Sequence, residues 1–182
     1  MASIQTLSDS DRRTIARWAA DCAERVLPLF DGDASATDQV RDAIARTRAY
    51  SNGETTAAEQ IRLRFAAGKA AQAAKTPAGA AAARAAGQAS SVAHMGAHAL
   101  GAAGYVAKAV SLANPAPSDA VAEEVRWQIE QLTDDDKAIL RQLPTLGSDS
   151  SGPLGTGLLT QGVVGEVIEQ IQNEVAGGRP RT

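Results

Sequence analysis

A chain of 182 residues, 44% of them hydrophobic, suits a single domain with an appendage. Aromatic residues make up only 3%, so the core has to be built from Ala, Val, Leu and Ile with close backbone contacts. A net charge of -3 and the lack of a basic patch with interleaved aromatics argue against nucleic-acid binding. The single cysteine, Cys22, rules out an internal disulfide framework and fits a reducing, cytoplasmic compartment.

Residues 1–7 read as a loose lead-in. Asp9, Asp11, Arg12 and Arg13 stand where a signal peptide would need its apolar core. Ser8 or Ser10 caps a first helix running to about Phe30, with Ile15, Trp18, Ala19, Cys22, Val26 and Leu29 on its apolar face. Pro28 kinks or ends it. After a turn at Gly32–Ala36, a second helix is predicted over about 37–51, stopped by Asn52-Gly53. A third starts at Thr56, where Glu59 completes a capping box, and Ile61, Phe65, Gly68 and Gln72 mark one of its faces.

The stretch from Gly79 to Leu112 is the longest apolar run, and it is rich in Ala, the best helix former. Thr76 and Pro77 mark its start, and Asn114, Pro115 and Pro117 its end. Read as one long central helix, with a break allowed near Gly96 or Gly101, it advances about 100° per residue. That places His94, His98, Gly101, Tyr105 and Lys108 on one stripe, and Val92, Met95, Ala99, Val106 and Val110 opposite. The run is long enough to cross a bilayer, but Arg84, His94, His98 and Lys108 argue for a buried helix of a non-membrane protein. Gly87, Gly96, Gly101 and Gly104 would let a neighbouring helix or a ligand approach the backbone.

Two further helices are predicted at about 119–132 and 134–143, capped by Ser118 and Thr133. Composition then shifts. Residues 145–162 read as a flexible linker rich in Gly and Ser, separating a bundle domain (1–144) from a short amphipathic helix over about 163–176, with a disordered tail to 182. So short a helix is marginal alone in water, so it must dock, either on its own bundle or on a second copy. Homo-oligomerisation through residues 163–176 is the expectation. No strand pattern competes anywhere, and the fold class is all-α: an antiparallel bundle of tandem helix hairpins around the central helix.

Chemistry concentrates on the pair His94-x-x-x-His98. On a continuous helix, two histidines four apart face one way and suit two ligands of one divalent metal, or an acid/base pair. A zinc-protease pattern would need Glu after the first His, and Met95 stands there. Asp21 is the candidate third ligand, or the carboxylate that orients one imidazole. Trp18, Gly101, Tyr105 and Lys108 complete the candidate ligand-binding set. The plainer alternative is that the histidines hydrogen-bond between packed helices. No cofactor is specified by any motif, and the glycines form no phosphate loop.

Three blocks carry a resemblance: RWAADCAERVLPLF (17–30), RDAIARTRAYSNGE (41–54) and, most specific, ARAAGQASSVAHMGAHALGAAGYVAKAV (83–110). With EEVRWQIEQL (123–132), they are similar to the actinobacterial immunity proteins assigned as the fifth immunity family of bacterial polymorphic toxin systems. The resemblance covers about residues 8–143. It implies an all-helical cytoplasmic protein that binds and neutralises a protein toxin. It also implies an aromatic and an acidic position in the first helix, here Trp18 and Asp21, and His and Gly positions in the long helix, here His94, His98 and Gly101. Three expectations stand side by side: a toxin-binding protein, for which the negative net charge suits a basic partner; a small helical enzyme or ligand-binding protein using His94, His98 and Asp21; and an assembly module using the last helix.

Overall fold

The computed structural model describes residues 3–177. Its helices are α1 (Asp9–Val26), α2 (Ala34–Ser51), α3 (Ala57–Leu63), α4 (Ala66–Ala70), α5 (Pro77–Ser91), α6 (His98–Ala113), α7 (Ala120–Glu130), α8 (Asp134–Leu140) and α9 (Gly162–Val175). Among the described residues there is no β-strand, only an isolated bridge between Asp149 and Gly155. The protein is an all-α bundle. No helix of the described residues is long and apolar enough to cross a membrane.

Local signals set most helix ends. Ser8, Asp33, Thr56, Thr76 and Thr133 each accept a hydrogen bond from a backbone amide in the first turn of the helix that follows. Thr56 with Glu59, and Thr133 with Asp136, form reciprocal capping boxes. Helix α1 ends at Val26, and Pro28 sits in the single 3-10 turn that follows. Helix α2 starts at Ala34, earlier than 37, because Asp33 caps it.

The central element differs from the expectation of one long helix. Helices α5 and α6 are separate and pack against each other, joined by a tight turn at 92–97. The reason lies about ninety residues upstream. The amides of Gly96 and Ala97 donate to the carbonyls of Thr6 and Gln5, at 3.0 and 3.1 Å, instead of to a preceding helical turn. Leu7 lies so close to Gly96 that a Cβ there would collide with its side chain. The N-terminal residues are therefore a structural wedge.

The core follows from composition. Trp18, Ile15, Val26, Val40 and Leu100 are completely or almost completely buried among alanines of α1, α5 and α6. With so few large side chains, helices approach through small ones: a Cβ on Gly87 would press on the backbone of Gly68.

The segment 145–162, expected to be a flexible linker, is folded onto the bundle. Leu146, Leu154 and Leu159 are buried. Gln5 ties the segment down: its Nε2 donates to Asp149 Oδ2 (2.7 Å) and to the Ser151 carbonyl (2.9 Å), and its Oε1 accepts from the Leu154 amide (2.9 Å). Helix α9 then lies on α6 of the same chain, where the absence of a side chain at Gly104 admits Val164. Its apolar face, Val164, Val167, Ile168, Ile171 and Val175, is buried inside the molecule. That face is used within the chain, the first of the two dockings expected for residues 163–176. Each such side chain is worth about 1.5–3 kcal/mol when buried, which offsets the weakness of a short helix. The disordered tail expected after 177 lies outside the described residues.

Candidate functional site

The break between α5 and α6 creates the site. His94 and Met95 sit in the turn, His98 opens α6, and Gln88 comes from the last turns of α5. The opposite wall is the folded-down segment, through Gly152, Pro153 and residues 157–159. Between the walls lies an open cleft of about 370 Å3.

His94 and His98 still meet, although not as helical neighbours: their ring centroids are 6.4 Å apart and tilted by 36°. His98 is mostly enclosed, whereas His94 is exposed. His98 Nδ1 lies 2.8 Å from Gln88 Oε1. A carbonyl oxygen only accepts, so Nδ1 carries the proton and Nε2 keeps its lone pair. Burial, then the charges of His94 and Arg64, lower the His98 pKa to about 4. The His94 pKa is also lowered, by desolvation and by Arg64 and Arg12. Gly101 serves this geometry without touching the cleft, because a Cβ there would drive into the Gln88 carbonyl and crowd Leu159.

The other candidates are elsewhere. Asp21 accepts from Arg17 Nη1 (3.0 Å) and Arg48 Nη1 (2.6 Å). It lines a separate, smaller cleft of about 230 Å3 with Glu24, Arg25, Trp127 and Gln131. It therefore neither orients an imidazole nor joins the two histidines as a metal ligand. Among the described residues, no group of three or more His, Cys, Asp or Glu side chains is placed to hold a metal ion. Trp18 is a buried strut from α1 to α7, its Nε1 donating to the Gln128 carbonyl at 2.8 Å. Tyr105 is buried further along α6, with Lys108 Nζ 5.9 Å from its ring centroid, and neither lines the His cleft. The turn at 92–97 takes His94 out of the helical phase, and Tyr105 and Lys108, still in phase with His98 on α6, lie about two turns or more along it, beyond the cleft. For the same reason Met95, expected opposite the histidines, shares their cleft. Cys22 is fully buried, which pushes its thiol pKa well up and leaves it inert.

Sequence reasoning missed four residues here. Gln88 had no motif to mark it. Leu158 lay in a stretch whose glycines suggested a linker, and it is 72% exposed on the cleft wall. Arg64 and Phe65 lie at the break between α3 and α4, where the guanidinium stacks 4.2 Å over a ring that is itself 60% exposed. An aromatic after the end of a helical period was the available signal.

The family described as Imm-5 like putative immunity protein matches residues 5–135. The match includes the turn and both histidines and stops inside α8, before the second wall of the cleft. No curated protein and no solved structure matches. With well over half of its residues matched, the chain belongs to the Imm-5 like putative immunity protein family.

Proposed function

We propose that this protein binds a partner protein toxin and neutralises it by occlusion, with the face around the His cleft as the contact surface. The observation that carries this reading is Leu158, a large apolar side chain left exposed on the wall of the cleft. Ile4, Leu63, Phe65 and Leu158 are four of the five large hydrophobic residues exposed among the described residues. Leu158 lines the cleft, Leu63 and Phe65 flank Arg64, and Ile4 precedes Gln5, which anchors the far wall. An exposed apolar side chain on the wall of a concavity favours association rather than isolation. Membership of an immunity-protein family supports the same reading. The test is co-expression with the toxin domain encoded by the adjacent gene. A stable complex and rescue of growth are expected; no complex and no protection would overturn the proposal.

A second reading is supported by the cleft itself. A space of about 370 Å3 with a fixed imidazole acceptor suits a small ligand, with His94 and His98 as the polar contacts. Metal analysis of the purified protein, paired with a His94→Ala/His98→Ala variant, separates the possibilities. Bound metal lost in that variant favours the ligand reading, and a variant that only loses stability makes the histidines structural.

A further inference from the structure

The whole-chain charge of -3 suggests a basic partner, yet the cleft face has the opposite character. No acidic side chain lines the cleft. Arg64 has no carboxylate partner among the described residues, and the one hydrogen bond its guanidinium makes among them runs from Nη1 to the Ile61 carbonyl (2.6 Å). Its own carbonyl accepts from Ser90 Oγ (3.2 Å), which ties it to the last turn of α5, immediately before the turn that carries His94. Arg64 therefore sits beside the cleft, and its charge is felt at both imidazoles. Arg12, Arg13, Arg17, Arg25, Arg41, Arg46 and Arg48 pair with carboxylates, whereas Arg62, Arg64, Arg84, Arg126 and Arg141 do not among the described residues, and of these five Arg64 is the one stacked on an aromatic ring.

We infer that this face receives an acidic segment of a partner protein, one that presents an apolar side chain next to a carboxylate. The inference rests on the toxin-binding reading above and names the chemistry of the partner. The carboxylate meets Arg64, whose guanidinium is already held in place by the Phe65 ring, and His94 stands exposed beside it. The apolar side chain enters the cleft between Met95 and Leu158. A guanidinium pre-positioned on an aromatic face loses little freedom on pairing, and flanking apolar contacts exclude water from the pair. A basic partner segment would face an uncompensated cation and no carboxylate in the cleft to pair with.

Two measurements decide it. In the first, the affinity of the full chain for the adjacent gene's toxin domain is measured at low and moderate salt. Arg64→Glu and Phe65→Ala are each expected to weaken binding at least tenfold, Arg64→Lys far less, and Arg126→Glu, on the exposed side of α7, less than twofold. Undiminished binding by Arg64→Glu, with the wild type bound, overturns the inference and leaves the toxin-binding reading standing. No complex with the wild type removes both. The second needs no toxin. N-acetyl-Asp-Leu-Asp-Leu-amide at millimolar concentration is expected to shift the His94 and Phe65 ring resonances of the full chain, and the Lys-Leu-Lys-Leu analogue is not. An equal or larger response to the lysine peptide, or none to either, overturns the inference.

Discussion

Two polar regions stand on the same bundle, and they are built on opposite principles. Around Asp21, charges are matched. Arg17 bridges Asp21 and Asp136, Arg48 bridges Asp21 and Glu24, and Arg25 pairs with Glu124 while stacking 3.9 Å over Trp127. Around His98 they are not: the imidazole keeps a free acceptor, Arg64 has no counter-ion, and apolar side chains stand in solvent. The first region joins α1, α2, α7 and α8 and pairs its charges, although the buried Asp136 Oδ1 and Gln128 Oε1 have no hydrogen-bond partner among the described residues. The second holds few elements together and leaves much unsatisfied. A polar cluster whose charges are paired and enclosed belongs to the fold, and one that is left open to solvent belongs to recognition.

The largest effect that can break this comparison comes from the C-terminal part. A chain ending at Gly147 loses the second wall of the His cleft and all of α9. It also exposes the groove on α6 at Gly104. Seven buried apolar side chains disappear, Leu154, Leu159 and five from α9. At about 1.5–3 kcal/mol each, that loss rivals the whole stability of a typical domain. The truncated chain is expected to aggregate or to bind a hydrophobic dye, with its cooperative unfolding transition lost. A compact, cooperatively folding product would make the open region an accessory to an independent core.

Next come the matched charges. Asp136 is completely buried, accepts from Arg17 (2.5 Å) and from the Thr133 amide (2.9 Å), and caps α8. Asp136→Ala leaves Arg17 with Asp21 alone and removes the half of the capping box that accepts the Thr133 amide, at a cost of roughly 3 kcal/mol in unfolding free energy. Asp21→Ala is expected to cost about 1 kcal/mol, because its site is half-exposed and Arg48 keeps Glu24. Equal losses from the two variants in urea titration would contradict this ordering.

The His cleft also makes a prediction in pH. The folded-state pKa of His98 is about 4, below its ordinary value of 6.5, so the unfolded chain binds more protons between those values. Its contribution to stability is therefore fully present above pH 6.5 and is lost as pH falls through 4. The amount is up to ~3 kcal/mol. Asp9, Asp31 and Glu59 also have lowered pKa values, and their contributions are lost at more acidic pH. His98→Gln isolates the effect by flattening the stability profile between pH 6.5 and 4; an unchanged slope would refute it. Gly101→Ala acts on the same bond without changing a titrating group. By displacing Gln88 from His98 it is expected to cost about 1–3 kcal/mol, with loss of the Nδ1–H tautomer signature in imidazole 15N shifts.

Local physics was legible in the sequence, and long-range docking was not. Capping residues Thr56, Thr76 and Thr133 act within one helical turn, and each marks the helix that the structure shows. The α5–α6 break is different. Its helix-forming alanines continue on both sides, and the chain departs from the helix because Gln5 and Thr6 capture two amides. The same Gln5 fastens a Gly- and Ser-rich segment that composition presents as a linker. Two residues near the N-terminus thus shape both walls of the cleft, the break through the Gln5 and Thr6 carbonyls and the folded-down segment through the Gln5 side chain, and nothing in their neighbours announces it. The candidate site was half visible: His94, His98 and the space left by Gly101 could be found, but Asp21 and Trp18 were joined to them with no knowledge of how α1 packs, and Tyr105 and Lys108 share a face of α6 with His98 yet lie too far along it.

The smallest expected effect sharpens the comparison most. If Arg64 and Phe65 serve a partner, removing them should scarcely disturb the fold. Phe65 is 60% exposed, and Arg64 contributes one hydrogen bond to the Ile61 carbonyl beyond the end of α3. A cation–π contact at an exposed site is worth about 0.5–1 kcal/mol, most of which is regained by hydration of the freed groups. The Arg64→Ala/Phe65→Ala pair is therefore expected to change unfolding free energy by about 0.5 kcal/mol or less, with an unaltered far-UV spectrum. A loss comparable to that of Asp136→Ala would place these side chains with the matched charges, as parts of the fold. A stable double variant that still binds the acidic peptide as the wild type does would leave the open cleft without the role its unpaired groups suggest.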